Sequence, residues 1–322
     1  MKVVTFGEIM LRLNPCGYER FLQADTWNGT YAGAEANVAV SLTTLGIETA
    51  FVSKVPSHEI GQAAVNALRH FGVGTDHVLR GGDRLGIYFL EKGAGQRGGK
   101  VIYDRAGSAI ATARSEEFEW KKIFAGADCF YLSGITLALS SELAKAALDA
   151  VMTAKEMGLT VFMDINYRAK LWSREAARET LLTILPYVDY CKDPFWYEDT
   201  EGDLPATVER MVRDFSLRGV LVTKRIAHTA NEHTLSALYY VGGEEYSSKT
   251  YEIHIVDRLG GGDACAAAWV YALLHGYDPQ ETVEFAVAAS CLSHTLEGDF
   301  NLVSLEEIHA LMSGKATGRV QR

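Results

Sequence analysis

Three consecutive glycines followed by an aspartate are the residues of this chain best suited to chemistry. The segment reads Gly260, Gly261, Gly262 and Asp263, and it leads into an apolar stretch, residues 264–270, that predicts a helix. Glycines allow a ligand to approach the backbone closely, and the N–H groups at a helix N-terminus attract anions. A carboxylate beside such an anion hole is what phosphoryl transfer needs as a base for the acceptor hydroxyl. The structural alternative is that Asp263 only caps the helix, although a cap does not require three preceding glycines.

A second glycine-rich segment matches the dinucleotide-binding pattern by spelling alone. Gly93, Gly95 and Gly98 have the G-x-G-x-x-G spacing. That pattern binds a dinucleotide between a strand and a helix, because the helix N-terminus meets the pyrophosphate. Here both flanking segments have the period of strands, and no GxxxxGK[ST] pattern occurs in the chain. We therefore predict a hairpin tip over residues 93–99, and neither a dinucleotide site nor a P-loop.

Apolar runs alternate with helical patterns along most of the chain, and these elements must position the glycines and Asp263. Apolar runs predict strands over residues 2–6, 49–55, 129–132, 159–165, 187–191 and 220–223. Helical spacing predicts helices over residues 34–45, 61–71, 140–157, 174–185, 207–215, 264–275, 281–292 and 305–312. Continuous apolar strands that alternate with helices are typical of a parallel sheet covered on both faces. The sequence therefore predicts an α/β fold with a doubly wound, mostly parallel sheet.

Two segments interrupt this alternation. Residues 9–31 and 86–103 have a period of two and no helical pattern, which predicts extra antiparallel strands. Inserted between core units, these strands would form a small β-sheet over one edge of the core, which we call the lid. No repeat, low-complexity tract or Pro-rich linker separates the two parts. We expect an α/β core and a β lid, with the core formed by residues 1–8, 32–85 and 109–322 and the lid by residues 9–31 and 86–108.

Composition and charge limit the classes of partner. The 322 residues are 48% hydrophobic and 22% charged, as in an ordinary globular protein. A net charge of −10 repels phosphate backbones and anionic lipid, so we expect neither nucleic-acid nor membrane partners. No apolar stretch approaches the ~20 residues that span a bilayer. The five cysteines are scattered without a CxxC pair, which argues against zinc clusters and a disulfide framework and favours a cytoplasmic protein.

Several segments together resemble one enzyme family. Residues 256–263, Val-Asp-Arg-Leu-Gly-Gly-Gly-Asp, are similar to the Asp-Thr-x-Gly-Ala-Gly-Asp signature of the ribokinase-like (PfkB-type) sugar kinases. Residues 33–39, Gly-Ala-Glu-Ala-Asn-Val-Ala, are similar to that family's N-terminal glycine motif. Three more segments resemble its 2-keto-3-deoxygluconate kinase branch: residues 103–109 (Tyr-Asp-Arg-Ala-Gly-Ser-Ala), 164–168 (Asp-Ile-Asn-Tyr-Arg) and 298–301 (Gly-Asp-Phe-Asn). The resemblance spans nearly the whole chain.

The resemblance implies a ribokinase-like fold in which the lid covers the sugar site and often forms a dimer contact, so that a homodimer through the lid is expected. It implies ATP and Mg²⁺ as cofactors, Asp263 as the general base, and residues 260–262 as the anion hole that holds the transferred phosphoryl group. By the same resemblance, the contacts to a sugar acid fall on Gly33, Tyr88, Tyr103, Arg105, Arg168 and Asp299.

These contact residues have structural alternatives. Tyr88 and Tyr103 could be paired across lid strands. Arg105 and Arg168 could form surface salt bridges, and Asp299 could cap a turn. Guanidinium groups match the geometry of a carboxylate, whereas a neutral polyol does not require them. The two arginines therefore favour a sugar acid over a neutral sugar.

The nucleotide loop differs from the family pattern. The family usually has glycines there, yet none lies between residues 220 and 241. The residues at this place are Thr223, Lys224 and Arg225. We expect ATP to contact them together with Gly260 and Gly262. Our hypothesis is that Lys224 or Arg225 supplies charge to the ATP phosphates where backbone would otherwise serve.

The ion-binding positions also differ. Arg258 and Leu259 replace the signature's threonine pair, and the family's Asn-x-x-Glu motif has no counterpart in residues 191–197. Asp193 or Glu198 could take the place of that motif, so the sequence leaves the metal ligands unassigned. A monovalent cation near Asp257 is left open as well.

Three functions are compatible with these residues. The first is ATP-dependent phosphorylation of a sugar acid, 2-keto-3-deoxygluconate to its 6-phosphate. The second is a kinase of a neutral sugar, fructose- or ribose-like, which the two arginines disfavour. The third is a catalytically weak sugar-acid-binding sensor, which the glycines and Asp263 disfavour because a sensor needs no phosphoryl site. Gluconate- and galactonate-derived acids differ at C4, and the sequence does not choose between them.

Overall fold

A large β-sheet runs through the centre of the protein, which we describe from a computed structural model over residues 1–194 and 204–315. The strands in this part of the chain are β1 (Lys2–Phe6), β2 (Met10–Pro15), β3 (Trp27–Ala32), β4 (Glu48–Val55), β5 (Val78–Arg80), β6 (Gly86–Glu91), β7 (Lys100–Asp104), β8 (Cys129–Ser133), β9 (Thr160–Asp164), β10 (Tyr190–Lys192), β11 (Gly219–Ala227), β12 (Glu232–Val241), β13 (Glu244–Ser247) and β14 (Tyr251–His254).

In the described part of the chain, the helices alternate with strands at first, and the last three elements are helices. The helices are α1 (Ala34–Thr44), α2 (Glu59–His70), α3 (Trp120–Ile123), α4 (Gly134–Ala138), α5 (Ser141–Glu156), α6 (Arg174–Ile184), α7 (Leu204–Phe215), α8 (Gly261–Leu274), α9 (Pro279–Ser293) and α10 (Leu305–Met312). None of these described helices is long and apolar enough to cross a membrane.

The central sheet confirms the predicted doubly wound, mostly parallel architecture. Its described strands have the order β13-β12-β11-β10-β9-β8-β1-β4-β5, with β14 paired to β12. The seven strands from β5 to β11 in this order are parallel neighbours, and β12, β13 and β14 join in antiparallel pairs. The sequence analysis predicts no strand at β5 or β12–β14. β10 also begins later than predicted, because Leu185–Tyr187 forms a short 3-10 turn.

Helices cover both faces of this sheet, and each face has its own apolar core. Successive residues of a strand point to opposite faces. Accordingly, Val4 and Phe6 of β1 pack with α5 and α6, whereas Val3 packs with α1, α8 and α9. The residues of α8 from Ala264 to Ala272 are buried, as expected of a helix that is apolar on all sides. This burial holds the N-terminus of α8, with the glycines and Asp263, in a fixed place.

A second, four-stranded sheet lies in the segments predicted to form the lid. Its order is β3-β2-β6-β7. The outer pairs are antiparallel as predicted, but β2 and β6 pair in parallel, because two hairpins from distant parts of the chain lie side by side. The tip between β6 and β7 closes with a bridge between Ala94 and Arg97. The predicted hairpin over residues 93–99 is therefore confirmed.

Candidate active site

Two adjoining cavities lie at the carboxyl ends of the parallel strands, where open α/β sheets bind ligands. The larger is an open cleft of about 1030 Å³ between the ends of β9, β10 and β11, the N-terminus of α8 and the lid hairpin. The smaller has a volume of about 100 Å³ and lies between the lid and the N-terminus of α1. Asn166, Arg168, Gly260 and Asp263 line both cavities, so these residues stand where the two meet.

The first two glycines before Asp263 have different reasons to lack a side chain. Gly260 has φ +83°, and a Cβ there would lie 2.1 Å from the carbonyl oxygen of Asp299. Gly261 begins α8, and a Cβ there would lie 2.1 Å from the ring of His294. Gly261 does not line either cavity. It makes room for the histidine behind the site, which corrects the expectation that all three glycines face the ligand.

Gly262 has open space beside it on the cleft side. If Gly262 carried a Cβ, the atom nearest to that Cβ would be Lys192 Nζ, at 3.9 Å. Gly260 serves as the N-cap of α8 without a side-chain hydrogen bond, so the first N–H groups of the helix have no side-chain cap. The predicted anion hole thus has two glycines, Gly260 and Gly262, on the cleft wall.

Asp263 is not the cap of α8. Its Oδ2 accepts a hydrogen bond of 2.7 Å from Asn37 Nδ2, which connects α8 to α1. Burial raises the pKa of Asp263 to about 7, the nearby charge of Asp164 acts in the same direction, and the hydrogen bond from Asn37 opposes the shift. The structural alternative of a helix cap is therefore wrong. The carboxyl group has the pKa of a base suited to neutral pH.

The smaller cavity brings together every residue that the resemblance assigns to the sugar acid. Its lining also includes Glu8, Glu35 and Asn37, which the sequence analysis does not assign to the site. The predicted residues on its wall are Gly33, Tyr88, Tyr103, Arg105, Arg168 and Asp299.

Glu35 shows why the glycine motif positions α1 so firmly. This buried carboxylate accepts hydrogen bonds from Ser133 N at 3.1 Å, Ser133 Oγ at 2.7 Å and Thr136 Oγ1 at 2.7 Å. Burial raises the pKa of Glu35, and these donors oppose the shift. Glu35 thereby ties the start of α1 to the end of β8. Asn37, on the same turn of α1, then meets Asp263.

Arg105 forms a buried ion pair. Its Nε donates to Glu8 Oε2 at 2.8 Å, its Nη2 donates to the same oxygen, and Ser108 Oγ donates to Glu8 Oε1 at 2.6 Å. The guanidinium also lies over the Tyr103 ring, 5.5 Å from its centroid. The alternative of a surface salt bridge is wrong for Arg105, because 9% of the arginine side chain and 2% of the glutamate side chain are exposed. Nη1 is the part of the guanidinium that Glu8 leaves for another acceptor.

Asp299 is held by a lid arginine that the sequence analysis missed. The Asp299 carboxylate accepts from Arg12 Nη1 and, at 2.8 Å, from Tyr88 Oη. Burial raises the pKa of Asp299, and the positive charge of Arg12 opposes the shift. Tyr88 is the register partner of Tyr103, with ring centroids 6.0 Å apart, so the two tyrosines are paired across lid strands and also line the cavity. The period of two, which puts Met10 and Arg12 on one face of β2, is the signal for the buried arginine.

Arg12 also pairs with Asp257. Arg12 Nη2 donates to Asp257 Oδ2, and Lys92 Nζ lies 3.7 Å from that oxygen. Burial opposes the charge of Arg12, but Asp299 and Asp257 outweigh it and raise its pKa. Because Asp257 already faces these two cationic side chains, its surroundings do not fit a monovalent cation.

Three exposed arginines give the larger cleft a positive wall. Arg168, Arg225 and Arg258 line it, and none forms an ion pair within residues 1–194 and 204–315. Although the three side chains reach solvent, partial desolvation in the cleft wall lowers the pKa of Arg225 and of Arg258. The charge of Arg258 lowers the pKa of Arg225 further, and the charge of Arg168 lowers both. The three positive charges therefore repel one another along the wall of the same cleft. The surface salt bridge considered for Arg168 is absent from the described residues.

Lys224 and Arg225, the two residues proposed to contact the ATP phosphates, lie on opposite faces of β11. Thr223 and Arg225 line the cleft, whereas Lys224, between them, does not. Neighbouring strand residues point to opposite sides, so the side chain of Lys224 cannot share the face of Arg225. Of the two alternatives, Arg225 stays a candidate and the assignment of Lys224 is corrected.

The carboxylates nearest to the cleft floor are already bound by a lysine. Lys192 Nζ donates to Asp164 Oδ2 at 3.0 Å and to Asp193 Oδ2 at 2.6 Å. The described residues contain no group of three or more His, Cys, Asp or Glu side chains that could hold a metal ion. Asp193, the first candidate for the missing acidic motif, is therefore engaged by the chain itself. Glu198, the second candidate, lies outside the described residues.

Comparisons with known proteins extend over nearly the whole chain. The family model described as pfkB family carbohydrate kinase matches residues 1–192 and 234–304. The chain is 35% identical to a 2-dehydro-3-deoxygalactonokinase of Haloferax volcanii, with 98% of each chain covered. It is 31% identical to a 2-dehydro-3-deoxygluconokinase of Thermoproteus tenax, over 93% of this chain and 90% of the relative. The crystal structure of a 2-dehydro-3-deoxygluconokinase from Thermotoga maritima superposes with a TM-score of 0.95 at 46% identity, covering 98% of each chain.

Proposed function

The chain belongs to the pfkB family of carbohydrate kinases and is a sugar kinase of an ATP-using family, and we propose that it phosphorylates a 2-keto-3-deoxy sugar acid. The substrate in this proposal is 2-keto-3-deoxygluconate (2-dehydro-3-deoxygluconate), and the product is its 6-phosphate. The relatives are named as kinases of the gluconate- and galactonate-derived forms of this acid, which supports the substrate class.

Asp263 is the general base of the proposed reaction. It lines both cavities, between the sugar side and the phosphate side. The O6 hydroxyl gives its proton to the carboxylate while O6 forms a bond to the γ-phosphorus. The bond from that phosphorus to the β–γ bridging oxygen breaks, and ADP leaves with the electron pair. A pKa of about 7 makes Asp263 a stronger base than an ordinary aspartate while leaving about half of it ionised at neutral pH.

The N-terminus of α8 and the arginine wall stabilise the charge that moves. Gly260 and Gly262 offer backbone N–H groups without side chains in front of them. Positive helix termini and guanidinium groups both favour phosphate oxygens. Arg225 and Arg258 face the nucleotide side in this proposal, where Thr223 is the polar neighbour.

The other end of the sugar acid carries its carboxylate. Arg168 lies at the junction of the cavities and has no carboxylate partner among the described residues. Arg105 keeps Nη1 available while Glu8 fixes its plane. A sugar-acid carboxylate between these two groups would gain charge-assisted hydrogen bonds. Tyr88, Tyr103 and Asp299 would contact the hydroxyl groups.

Magnesium, when bound, would reduce the charge of the ATP phosphates. Asp164 and Asp193 are both ion-paired with Lys192, so the described residues do not fit a metal held by the protein. Magnesium usually binds nucleotides through the phosphates and water, and it would arrive here with ATP. No step of the proposed reaction uses a protein-held metal.

We also propose a cytoplasmic enzyme that dimerises through the lid. The lid carries large apolar side chains at the surface: Leu22 is 97% exposed, Ile102 52% and Trp27 38%. Exposed apolar patches are a usual mark of a protein interface. Sedimentation of the wild type beside Ile102→Lys tests this proposal, since the charged variant should shift towards monomer.

The observation that carries the proposed function is the convergence of six separated residues on one cavity beside Asp263. A coupled ADP-release assay across a panel of sugar acids and neutral sugars tests it. We expect turnover with 2-keto-3-deoxy acids and a phosphorus NMR signal of a 6-phosphate. Faster turnover of fructose or ribose would overturn the proposal, and a preference for the galactonate-derived acid would correct its stereochemistry alone.

A further inference from the structure

A buried lysine lies on the floor of the cleft, where the parallel strands β9 and β10 end beside β11. Lys192 is the last residue of β10, and its register partner in β9 is Asp164. Asp193 follows directly, and it connects to β11 through Thr223. The charged group thus joins the ends of β9 and β10 to the middle of β11, in the part of the fold where ligands bind.

Two carboxylates favour the charged form of the lysine despite its burial. The side chain of Lys192 is 4% exposed and that of Asp164 is 3% exposed. Burial opposes the charge of the ammonium group, but the carboxylates of Asp164 and Asp193 outweigh this effect and raise the pKa of Lys192 well above its ordinary value. A buried ammonium group is costly unless it is paired and hydrogen-bonded, and this one is paired twice.

One donor of this ammonium group remains for a ligand. Lysine has three N–H donors, of which two go to Asp164 and Asp193. Within the described residues no third acceptor lies at hydrogen-bond distance from Nζ, and Lys192 lines the cleft. Nζ is also the atom nearest to the open side of Gly262, 3.9 Å from where a Cβ would lie at that residue. The unused donor therefore lies beside the anion hole at the start of α8.

The backbone around the lysine is held in an unusual conformation. Asp193 has φ +53°, which residues with a side chain rarely adopt. Its carboxylate accepts from Thr223 N at 2.7 Å and from Thr223 Oγ1 at 2.9 and 3.0 Å. Strain of this kind persists where surrounding contacts enforce it, and it concentrates at functional sites. These contacts fix Asp193, and Asp193 in turn fixes the ammonium group.

We propose that Lys192 is a built-in cation of the phosphoryl-transfer site, donating its third N–H to a phosphate oxygen of ATP. The inference rests on the proposed kinase function. Carboxylates such as Asp164 and Asp193 are ligands that divalent metals prefer. The ammonium group occupies the place between them, so the protein supplies a fixed positive charge where two free carboxylates would bind a metal. Lys192 therefore contacts the phosphates itself, and no protein-held metal is needed there.

Nucleotide binding without metal tests this role. We would measure the Kd for ATP in EDTA by calorimetry for the wild type, Lys192→Met, and Lys192→Met combined with Asp193→Asn. The double variant removes a carboxylate together with the lysine, which limits the destabilisation that an unpaired buried charge brings. Loss of a charge-assisted hydrogen bond should weaken ATP binding by about 10- to 100-fold in both variants. Lys155→Met is the matched control, because Lys155 pairs with Asp189 at 2.7 Å on the surface, and its Kd should stay within twofold of wild type.

Manganese binding to the protein alone is the second readout. Lys192→Met frees two carboxylates, so we expect it to bind Mn²⁺ more tightly than the wild type, as seen in the EPR signal of free Mn²⁺. Wild-type ATP affinity in the double variant would overturn the proposed contact, because the lysine would then only neutralise Asp193. Equal Mn²⁺ binding by wild type and Lys192→Met would overturn the claim that the ammonium group takes the place of a metal. These readouts do not depend on which sugar is phosphorylated, so they fail separately from the proposed substrate.

Discussion

Replacing Asp263 by asparagine removes the proposed base and little else. The side chain keeps its size, and its amide oxygen can still accept the 2.7 Å hydrogen bond from Asn37. Removal of a general base usually costs about 10²- to 10⁴-fold in rate. We therefore expect kcat to fall by that order while the KM for the sugar acid changes by less than about threefold, because the base acts in the transition state.

The raised pKa of Asp263 adds a pH signature to this prediction. With a pKa of about 7, the carboxylate is ionised in roughly a tenth of the molecules at pH 6 and in about nine tenths at pH 8. The kcat/KM of the wild type should rise tenfold per pH unit below neutrality and level off above it. The residual activity of Asp263→Asn should lack this rise, because asparagine does not titrate.

Stability should respond in the opposite direction to activity. The folded-state pKa of Asp263 lies above the ordinary value of about 3.9, so the folded protein holds a proton between about pH 4 and pH 7 that the unfolded chain has lost. Rising pH therefore destabilises the wild type through this group across that window. Asp263→Asn removes the effect, and its Tm relative to wild type should increase from pH 4 to pH 8.

Steady-state kinetics from pH 5.5 to 8.5 test the activity prediction, and calorimetry from pH 4 to pH 8 tests the stability prediction. An Asp263→Asn enzyme within threefold of wild-type kcat would refute the base assignment. An unchanged difference in Tm across the pH range would refute the argument that Asp263 is ionised against its burial.

Two further predictions concern the lid and the glycines. If residues 9–31 and 86–103 close over the sugar, saturating sugar acid should slow their hydrogen exchange without ATP; unchanged exchange in both segments would mean that the lid assignment is wrong. Gly261→Ala should lower the Tm because its Cβ would lie 2.1 Å from the His294 ring, whereas Gly262→Ala should fold normally and lose kcat, since its Cβ enters the cleft. Equal kcat losses at equal Tm in the two variants would contradict the distinction between packing and ligand-facing glycines.

The parallel core and the lid could be predicted because their signals are local. Continuous apolar runs and the period of two follow from which faces of a strand are buried. The strands β13 and β14 lie at the edge of the sheet, where burial is partial, whereas the sequence analysis missed β12 although it lies between β11 and these two strands and residues 237–240 are buried. The parallel contact between β2 and β6 depends on how two distant hairpins meet. No local pattern contains that information.

The sequence analysis named residues that the structure brings to one cavity, but it did not predict how their side chains pair. Glycines before a helix and arginines in polar segments indicate anion binding by residue type alone. The partners of Arg12, and the capture of Asp164 and Asp193 by Lys192, join segments that are far apart in the chain or on different strands. Lys224 was assigned to the ATP phosphates because the predicted strand ended at residue 223. β11 in fact continues to Ala227, and Lys224, unlike Thr223 and Arg225, does not line the cleft. Such facts come from tertiary packing.

The sugar-acid assignment depends most directly on Arg168. We would measure kcat/KM at saturating ATP for the 2-keto-3-deoxy acid and for its neutral analogue with an alcohol at C1, in the wild type and in Arg168→Lys. Lysine keeps the charge but loses the paired donors that match a carboxylate, and a charge-assisted hydrogen bond contributes about 1.5–3 kcal/mol. The account predicts a loss of about 10- to 150-fold for the acid and less than about threefold for the neutral analogue. Equal losses for both substrates would contradict it, because Arg168 would then not recognise the carboxylate.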